Sequence, residues 1–260
     1  MDENIKKLVE RSGIPSHLKT TNILREKGWP VLVSPYYHDS ISDSIRETDL
    51  VAEKQFNTGH GSGSSVHLNV QLFIECKYIK QEVVFWFDNL NKQRAVMALE
   101  EETGLDIVYA GYKHSGDITP AEFHYLKDES VAKLFSTNLS QEDVIYKAMN
   151  QCLHSQLYYR RRGKRPINQE FNAHPKAHTQ VIQFPVIVCD NFSNLLRLKA
   201  GVDEEYQVEN LQNHFILEVN YREDYFLIDI VDINYFSTFL DEFEQEAGKL
   251  VNAYAGKIRL

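Results

Sequence analysis

An apolar strand that ends in charged residues sets the strongest limit on how this chain can fold. The run Leu72–Ile74 is apolar and β-prone, and it leads directly into Glu75, Cys76 and Lys77. Side chains two apart on a strand share a face, so Glu75 and Lys77 point the same way. Burying a carboxylate and an ammonium in an apolar strand costs several kcal/mol each unless charges or hydrogen bonds compensate them. The fold must therefore supply that compensation.

A second charged segment lies upstream. The segment 46–52 reads as one strand that contains Glu47 and Asp49, and a polar, glycine-rich stretch at 59–65 follows it. Such a stretch can reverse the chain. The sequence thus predicts a hairpin with Asp49 on one arm and with Glu75 and Lys77 on the other. Glu47 and Asp49 share a face if the strand is uninterrupted. The alternative is a surface hairpin with solvated or salt-bridged charges.

A metal ion is one way to compensate the buried carboxylates. A hard cation such as Mg²⁺ bridging Asp49 and Glu75 would do so, because carboxylate oxygens are its usual protein ligands. Lys77 beside the ion could hold or activate a water molecule. These are the components of metal-assisted phosphodiester hydrolysis.

At these residues the chain resembles the PD-(D/E)xK nuclease superfamily, which has the restriction-endonuclease-like fold. The signature of that superfamily is an Asp on one strand and Glu-x-Lys on the next, matched here by Asp49 and by Glu75-Cys76-Lys77. The likeness covers roughly residues 16–88. It implies an α/β protein with a restriction-endonuclease-like core, in which helices flank a mixed β-sheet.

The resemblance also implies an activity and a set of roles. It implies cleavage of DNA that depends on Mg²⁺ or Mn²⁺, in defence or repair. Asp49 and Glu75 would bind the metal, with Glu47 as a further candidate ligand, and Lys77 would assist the attacking water. Many members place a Glu on the preceding helix, where positions 18–19 of this chain hold Leu and Lys.

A basic run ends the clearest helix of the sequence, predicted over residues 140–162. Apolar residues recur there at helical spacing, and Ser140 is a suitable N-cap. The basic residues at its end are Arg160, Arg161, Arg162, Lys164 and Arg165. Cations favour a helix C-terminus, but this run is denser than the helix dipole requires. Beside two adjacent tyrosines that can stack on bases, it predicts contact with nucleic-acid phosphates. A purely structural role for the run stays open.

The other apolar runs predict the rest of an α/β fold. Phe184–Cys189 is continuously apolar, which suits a strand buried on both faces, and Asp190 after it is expected to cap a turn. The segment from about 89 to 139 gives weak signals and is interpreted as an insertion into a single domain spanning residues 1–260. The remaining predicted elements are strands at Val31–Tyr37, Glu82–Phe87, His214–Tyr221 and Tyr225–Asp232, and helices at 16–27 and Phe236–Tyr254.

Composition limits the partners and the cellular compartment expected for the protein. The net charge of −9 opposes binding to phosphates, so a nucleic-acid surface must be a local basic patch. The three cysteines are far apart in apolar contexts, which is typical of buried thiols in a reducing compartment. With no transmembrane run and no signal peptide, the chain is expected to be cytoplasmic and away from membranes.

Two other functions remain open on the sequence alone. The chain could be a catalytically silent, nuclease-like subunit that binds nucleic acid within a larger complex. Its acidity instead favours an α/β protein that binds something other than nucleic acid. A homodimer or a partner subunit is compatible with either function.

Overall fold

A ten-stranded mixed sheet dominates the computed structural model, which describes residues 9, 13–39, 43–58, 66–109, 116–137, 144–167, 178–200, 206–221 and 223–258. The helices are α1 (Ile14–Glu26), α2 (Lys92–Thr103), α3 (Val144–Arg161) and α4 (Phe236–Ile258). The strands are β1 (Val31–Val33), β2 (Tyr36–Asp39), β3 (Ser44–Glu47), β4 (Leu50–Asn57), β5 (Val66–Tyr78), β6 (Val83–Asn89), β7 (Ser130–Thr137), β8 (His178–Asp190), β9 (Leu195–Ala200), β10 (Tyr206–Asn210), β11 (His214–Tyr221) and β12 (Asp224–Asp232).

The strand order in the large sheet is β1-β4-β5-β8-β12-β11-β7-β6-β9-β10, and β2 and β3 form a separate two-stranded sheet. Strands β5, β8 and β12 are parallel neighbours, while β4 pairs with β5 and β11 pairs with β12 in the antiparallel sense. The predicted mixed sheet is therefore confirmed. So are the hairpin that joins β4 to β5 and the hairpin that joins β11 to β12. The predicted turn at 59–65 and the predicted cap Ser140 lie outside the described residues.

Helices cover both faces of the central strands. On one face, α3 packs against Phe73 of β5 and Ile187 of β8. On the other face, α1, α2 and α4 pack around Leu72 and Ile74 of β5. This arrangement explains the continuous apolar run of β8, since a parallel strand between two helical layers is buried on both sides. The three cysteines are free and buried, as the sequence predicts.

The prediction of one strand over 46–52 is wrong. β3 ends at Glu47 and pairs with β2, whereas β4 begins at Leu50 and pairs with β1 and β5. The chain bends between them at Thr48 and Asp49, where the amide of Thr48 donates to the carbonyl of Pro35. The bend places the Asp49 carboxylate at the end of β5 instead of on the face of a strand.

The predicted strand Val31–Tyr37 is broken at the matching point. Ser34 has a φ of 51°, in the left-handed region, and Pro35 after it has no amide hydrogen to donate to a sheet. The amide of Ser34 donates to the carbonyl of Asp49 at 2.9 Å. The two interruptions of the predicted strands therefore lie opposite each other. Together they direct β2 and β3 away from the large sheet.

The segment 89–139 contributes to the large sheet itself. Its described part contains α2 and β7, and β7 lies between β11 and β6. Strand β7 pairs with β6 along the whole of β6, but with β11 only Leu217 stands in register with Ala132. We call this narrow join between β11 and β7 the seam.

Candidate active site

The three predicted catalytic side chains meet at the C-terminal end of β5. Leu50, the first residue of β4, pairs with Ile74 of β5, so Asp49 lies beside Glu75. Glu75 and Lys77 point to the same side of β5, and Lys77 Nζ lies 2.7 Å from Glu75 Oε2. The same ammonium lies 3.2 Å from Asp49 Oδ2. The structure thus brings together Asp49, Glu75 and Lys77, which we call the carboxylate–lysine cluster.

Backbone hydrogen bonds fix the two carboxylates. The amide of Cys76 donates to Asp49 Oδ2 at 2.8 Å, and the amide of Asp49 donates to Glu75 Oε1 at 3.2 Å. The backbone of β5 thus holds the Asp49 carboxylate, and the backbone just before β4 holds the Glu75 carboxylate. The geometry of the cluster follows from the pairing of β4 with β5 and does not depend on a flexible loop.

The members of the cluster differ in exposure. The side chain of Glu75 is 0% exposed, that of Lys77 is 16% exposed, and that of Asp49 is 26% exposed. Burial raises the pKa of Glu75 to about 8, although the Lys77 ammonium opposes this shift. Burial also acts to lower the pKa of Lys77, but the carboxylates of Glu75 and Asp49 outweigh it and hold that pKa above its usual value. Lys77 is therefore a fixed cation at neutral pH.

The donor set fits a hard cation of the Mg²⁺ type. Two carboxylates are available, and among the described residues Oδ1 of Asp49 has no protein hydrogen-bond partner. Mg²⁺ commonly binds one or two carboxylates and completes its coordination with waters and substrate phosphates. No group of three or more His, Cys, Asp or Glu side chains that could hold a metal occurs in the described part of the chain. A metal here would thus need ligands from solvent or substrate.

Comparisons with protein-family models, curated proteins and solved structures found no match. Any functional conclusion therefore depends on the residues and their geometry. Within the described residues, no helix is long and apolar enough to cross a membrane.

Two residues in the N-terminal turn of α1 contact the surroundings of the carboxylate–lysine cluster, and the sequence did not predict either contact. His17 Nε2 donates to the carbonyl oxygen of Asp49 at 2.8 Å, and Ser16 Oγ donates to Asp190 Oδ2 at 3.1 Å. Asp190 also accepts from the amide of Asn191, while the short helix that follows begins at Asn191 without a side-chain cap. Helix α1 thus braces the backbone of Asp49 and the end of β8.

Glu47 does not join the carboxylate–lysine cluster. It lies on β3 opposite Tyr36, whose pKa is raised by a hydrogen bond to Glu47. The shared face predicted for Glu47 and Asp49 is wrong because the strand is broken between them. No hydrogen bond or ion pair of the described residues connects Glu47 to Glu75 or Lys77.

The basic run divides into two groups. Arg160 Nη2 lies 2.8 Å from Glu102 Oε2, and Lys164 Nζ lies 3.1 Å from Glu102 Oε1. Glu102 is buried, so these two cations neutralise a carboxylate inside the protein. Arg161, Arg162 and Arg165 are exposed.

The exposed group borders an open cavity. Arg162 donates to the hydroxyl of Tyr158 at 2.9 Å. Tyr159, Arg162, Arg165 and Ile167 line a cavity of about 340 Å³. Tyrosine rings beside guanidinium groups suit stacking on bases and contact with phosphates. Of the basic run, the exposed side chains of Arg161, Arg162 and Arg165 are therefore the candidates for the predicted phosphate contacts.

A second buried charge cluster lies away from the first. The imidazole of His124 contacts Glu246 Oε2 through Nδ1 at 2.9 Å and Asp229 Oδ1 through Nε2 at 3.1 Å. Asp229 also accepts from His214 at 2.8 Å and from the hydroxyl of Tyr125 at 2.6 Å. This cluster ties the segment 89–139 to β12 and α4, and we assign it a structural role.

Proposed function

We propose that the protein is a metal-dependent nuclease that hydrolyses phosphodiester bonds in DNA. The observation that carries this proposal is the meeting of Asp49, Glu75 and Lys77 at the end of β5, with Glu75 buried and Asp49 open to solvent. The cluster places two acidic side chains beside one lysine, so once Glu75 has lost its proton one carboxylate charge exceeds what the ammonium neutralises. The resemblance of the Asp and Glu-x-Lys motif to the PD-(D/E)xK nuclease superfamily supports the same reaction.

Each residue has a role in the proposed reaction. Asp49 and Glu75 would hold Mg²⁺ or Mn²⁺, which when bound would polarise a phosphoryl oxygen and lower the pKa of a water molecule. Lys77 would donate a hydrogen bond to the attacking water or to the phosphate. Donors aimed at developing charge are worth roughly 10²–10³ in rate. His17 would position Asp49 through its backbone carbonyl.

The exposed basic group gives the proposed nuclease a contact for the DNA backbone. Arg161, Arg162 and Arg165 project from the C-terminal end of α3 and from the residues that follow it. The chain as a whole carries a net charge of −9, so a local group of cations is needed to hold DNA.

The proposal is tested by cleavage of plasmid and linear DNA with Mg²⁺, with Mn²⁺ and with EDTA. We expect cleavage by the wild type only with metal. Asp49→Asn should abolish both Mn²⁺ binding and cleavage, because it removes a ligand charge at constant shape. Lys77→Ala should retain Mn²⁺ binding and lose cleavage. The matched control is Asp224→Asn, at an exposed position at the start of β12, and it should retain cleavage. Full activity of Asp49→Asn would refute the assignment.

One observation favours a second candidate function. The Lys77 ammonium already lies within 3.2 Å of both carboxylates, so the cluster is partly neutralised without a metal. A nuclease-like subunit that binds nucleic acid without cutting it could retain such a cluster as structure. Retention of DNA binding by a wild type that never cuts DNA with Mg²⁺ or Mn²⁺ would support this function and contradict catalysis. Absence of DNA binding as well would point to a ligand that is not nucleic acid.

A further inference from the structure

Four strands at one end of the large sheet carry an apolar face that no described helix covers. These strands are β7, β6, β9 and β10. Their helix-α3 side packs through Phe85 and Phe135 into the core. On the opposite side Trp86 is 42% exposed, Leu134 63% and Val208 54%. Large apolar side chains are therefore in contact with solvent on three of these four strands.

The strand register arranges these side chains in a continuous surface. Trp86 stands opposite Leu134 on one side and opposite Leu198 on the other, and Leu198 stands opposite Val208. Paired residues share a face of the sheet, so this row crosses all four strands. We call the whole surface the bare face. Its members are Val84, Trp86, Leu134, Leu196, Leu198, Tyr206 and Val208.

Most charged residues of the same strands lie on the other side. Lys199 and Arg197 alternate with Leu198 along β9, and Lys199 pairs with Glu209 of β10 at 2.6 Å. The guanidinium of Arg197 lies 4.4 Å from the ring centre of Phe87, on the α3 side. Within the described residues of these four strands, the charges on the side of the bare face are Asp88, at the end of β6, and Lys133 of β7, which pairs with Glu218. The alternation in the rest of the four strands is typical of strands whose apolar face is buried.

We propose that the bare face is where two copies of this chain pack together, sheet against sheet. The chain carries a net charge of −9, so two copies repel each other wherever charged surfaces meet. A two-fold axis brings the same patch of each copy into contact with itself. The members of the bare face are all uncharged, so this patch meets its own copy without like-charge repulsion. A second copy is therefore the occupant that the bare face fits best.

The size of the bare face sets the strength of the proposed dimer. Four strands about 4.8 Å apart and about five residues long span roughly 19 by 17 Å, or on the order of 300 Å² of flat area. The accessible area is larger because Trp86 and Tyr206 protrude, and a fully buried aromatic side chain covers about 150–250 Å². Stable interfaces bury about 800 Å² per partner. The dimer should therefore lie at the weak end of the range and dissociate on dilution.

The dimer is tested by sedimentation velocity of the full chain, without DNA or metal, from about 1 μM to about 1 mM. The weight-average mass of the wild type should rise with concentration from that of one copy toward that of two. Val208→Lys places two lysines in the contact, one from each copy, and should raise the dissociation constant at least tenfold. Leu134→Glu should do the same from another strand.

The matched control is Gln207→Lys, on the same edge strand as Val208 but on its other face. It adds the same charge to another exposed position, and it should leave the dissociation constant unchanged. Circular dichroism and thermal melting establish that each variant is folded. A wild type that stays monomeric throughout would overturn the proposal. So would a dimer that both bare-face variants leave intact, or one that Gln207→Lys weakens as much as Val208→Lys does, which would indicate pairing along the edge of β10.

Discussion

Replacing His124 with Gln should destabilise the protein strongly at neutral pH and much less at high pH. The imidazole bridges Asp229, whose side chain is 0% exposed, and Glu246, whose side chain is 6% exposed. Gln occupies similar space and can donate a hydrogen bond, but it has no charge. The change therefore isolates the contribution of the imidazolium charge.

The magnitude follows from the pKa of His124. Burial acts to lower this pKa, but the carboxylates of Glu246 and Asp229 outweigh burial and raise it from 6.5 to about 10. The folded state thus binds the proton more tightly than the unfolded state does. The resulting stabilisation is complete below pH 6.5 and is lost as the pH rises through 10. It amounts to about 4 kcal/mol at pH 7 and about 1 kcal/mol at pH 9.

The assay is urea unfolding of wild type and His124→Gln at pH 7 and at pH 9, both in EDTA. The difference in unfolding free energy between the two proteins should shrink by about 2–3 kcal/mol from pH 7 to pH 9. Titrating groups outside this cluster, including Glu75, are present in both proteins and cancel. The control is His38→Gln, because His38 pairs with Asp43 on the exposed surface and contributes at most about 1 kcal/mol. An equal difference at both pH values would show that His124 is not charged in the folded protein.

Two further predictions concern the proposed nuclease. The proton on Glu75, whose pKa is raised to about 8, must leave before a metal binds, so Mn²⁺ affinity measured by calorimetry should rise with pH up to about 8 and then level off. Affinity independent of pH from 6 to 9 would contradict this. Replacing Arg161, Arg162 and Arg165 with Ala should weaken DNA binding and flatten its salt dependence by about 0.9 log unit per lost phosphate contact. Arg160→Ala should leave that slope unchanged and instead lower stability, because Glu102 loses a partner.

Local patterns predicted the parts of the fold whose signal lies within a few residues. The apolar runs identified β5, β6 and β8, and the alternation of charge near Glu75 and Lys77 placed both side chains on one face. The predicted hairpin placed Asp49 next to them, although the structure positions its carboxylate through the bend before β4. These features depend on strand periodicity and on one antiparallel pairing, which are short-range properties of the sequence.

The features that the sequence could not predict depend on contacts between distant segments. The bend at Thr48 and Asp49 is set by hydrogen bonds with Pro35 and Ser34, which lie across a ribbon and leave no periodic signal. His17 is brought to Asp49 by the packing of α1. Lys164 and Arg160 pair with Glu102, which is 58 residues before Arg160 in the chain. A run of like charges does not reveal which of its members have buried partners.

Because one register pair joins β11 to β7, we expect the seam to divide the large sheet into two units of local unfolding. One backbone register pair joins them, and the rest of the join consists of side chains: Phe215 of β11 packs on Phe85 and Phe87 of β6, and Lys133 pairs with Glu218. Packed side chains can separate without breaking a ladder of backbone hydrogen bonds. In native-state hydrogen exchange, the amides of β6, β7, β9 and β10 should therefore exchange together, at a lower opening free energy than those of β5, β8 and β12. The half of the sheet that carries the carboxylate–lysine cluster would stay closed while the other half opens.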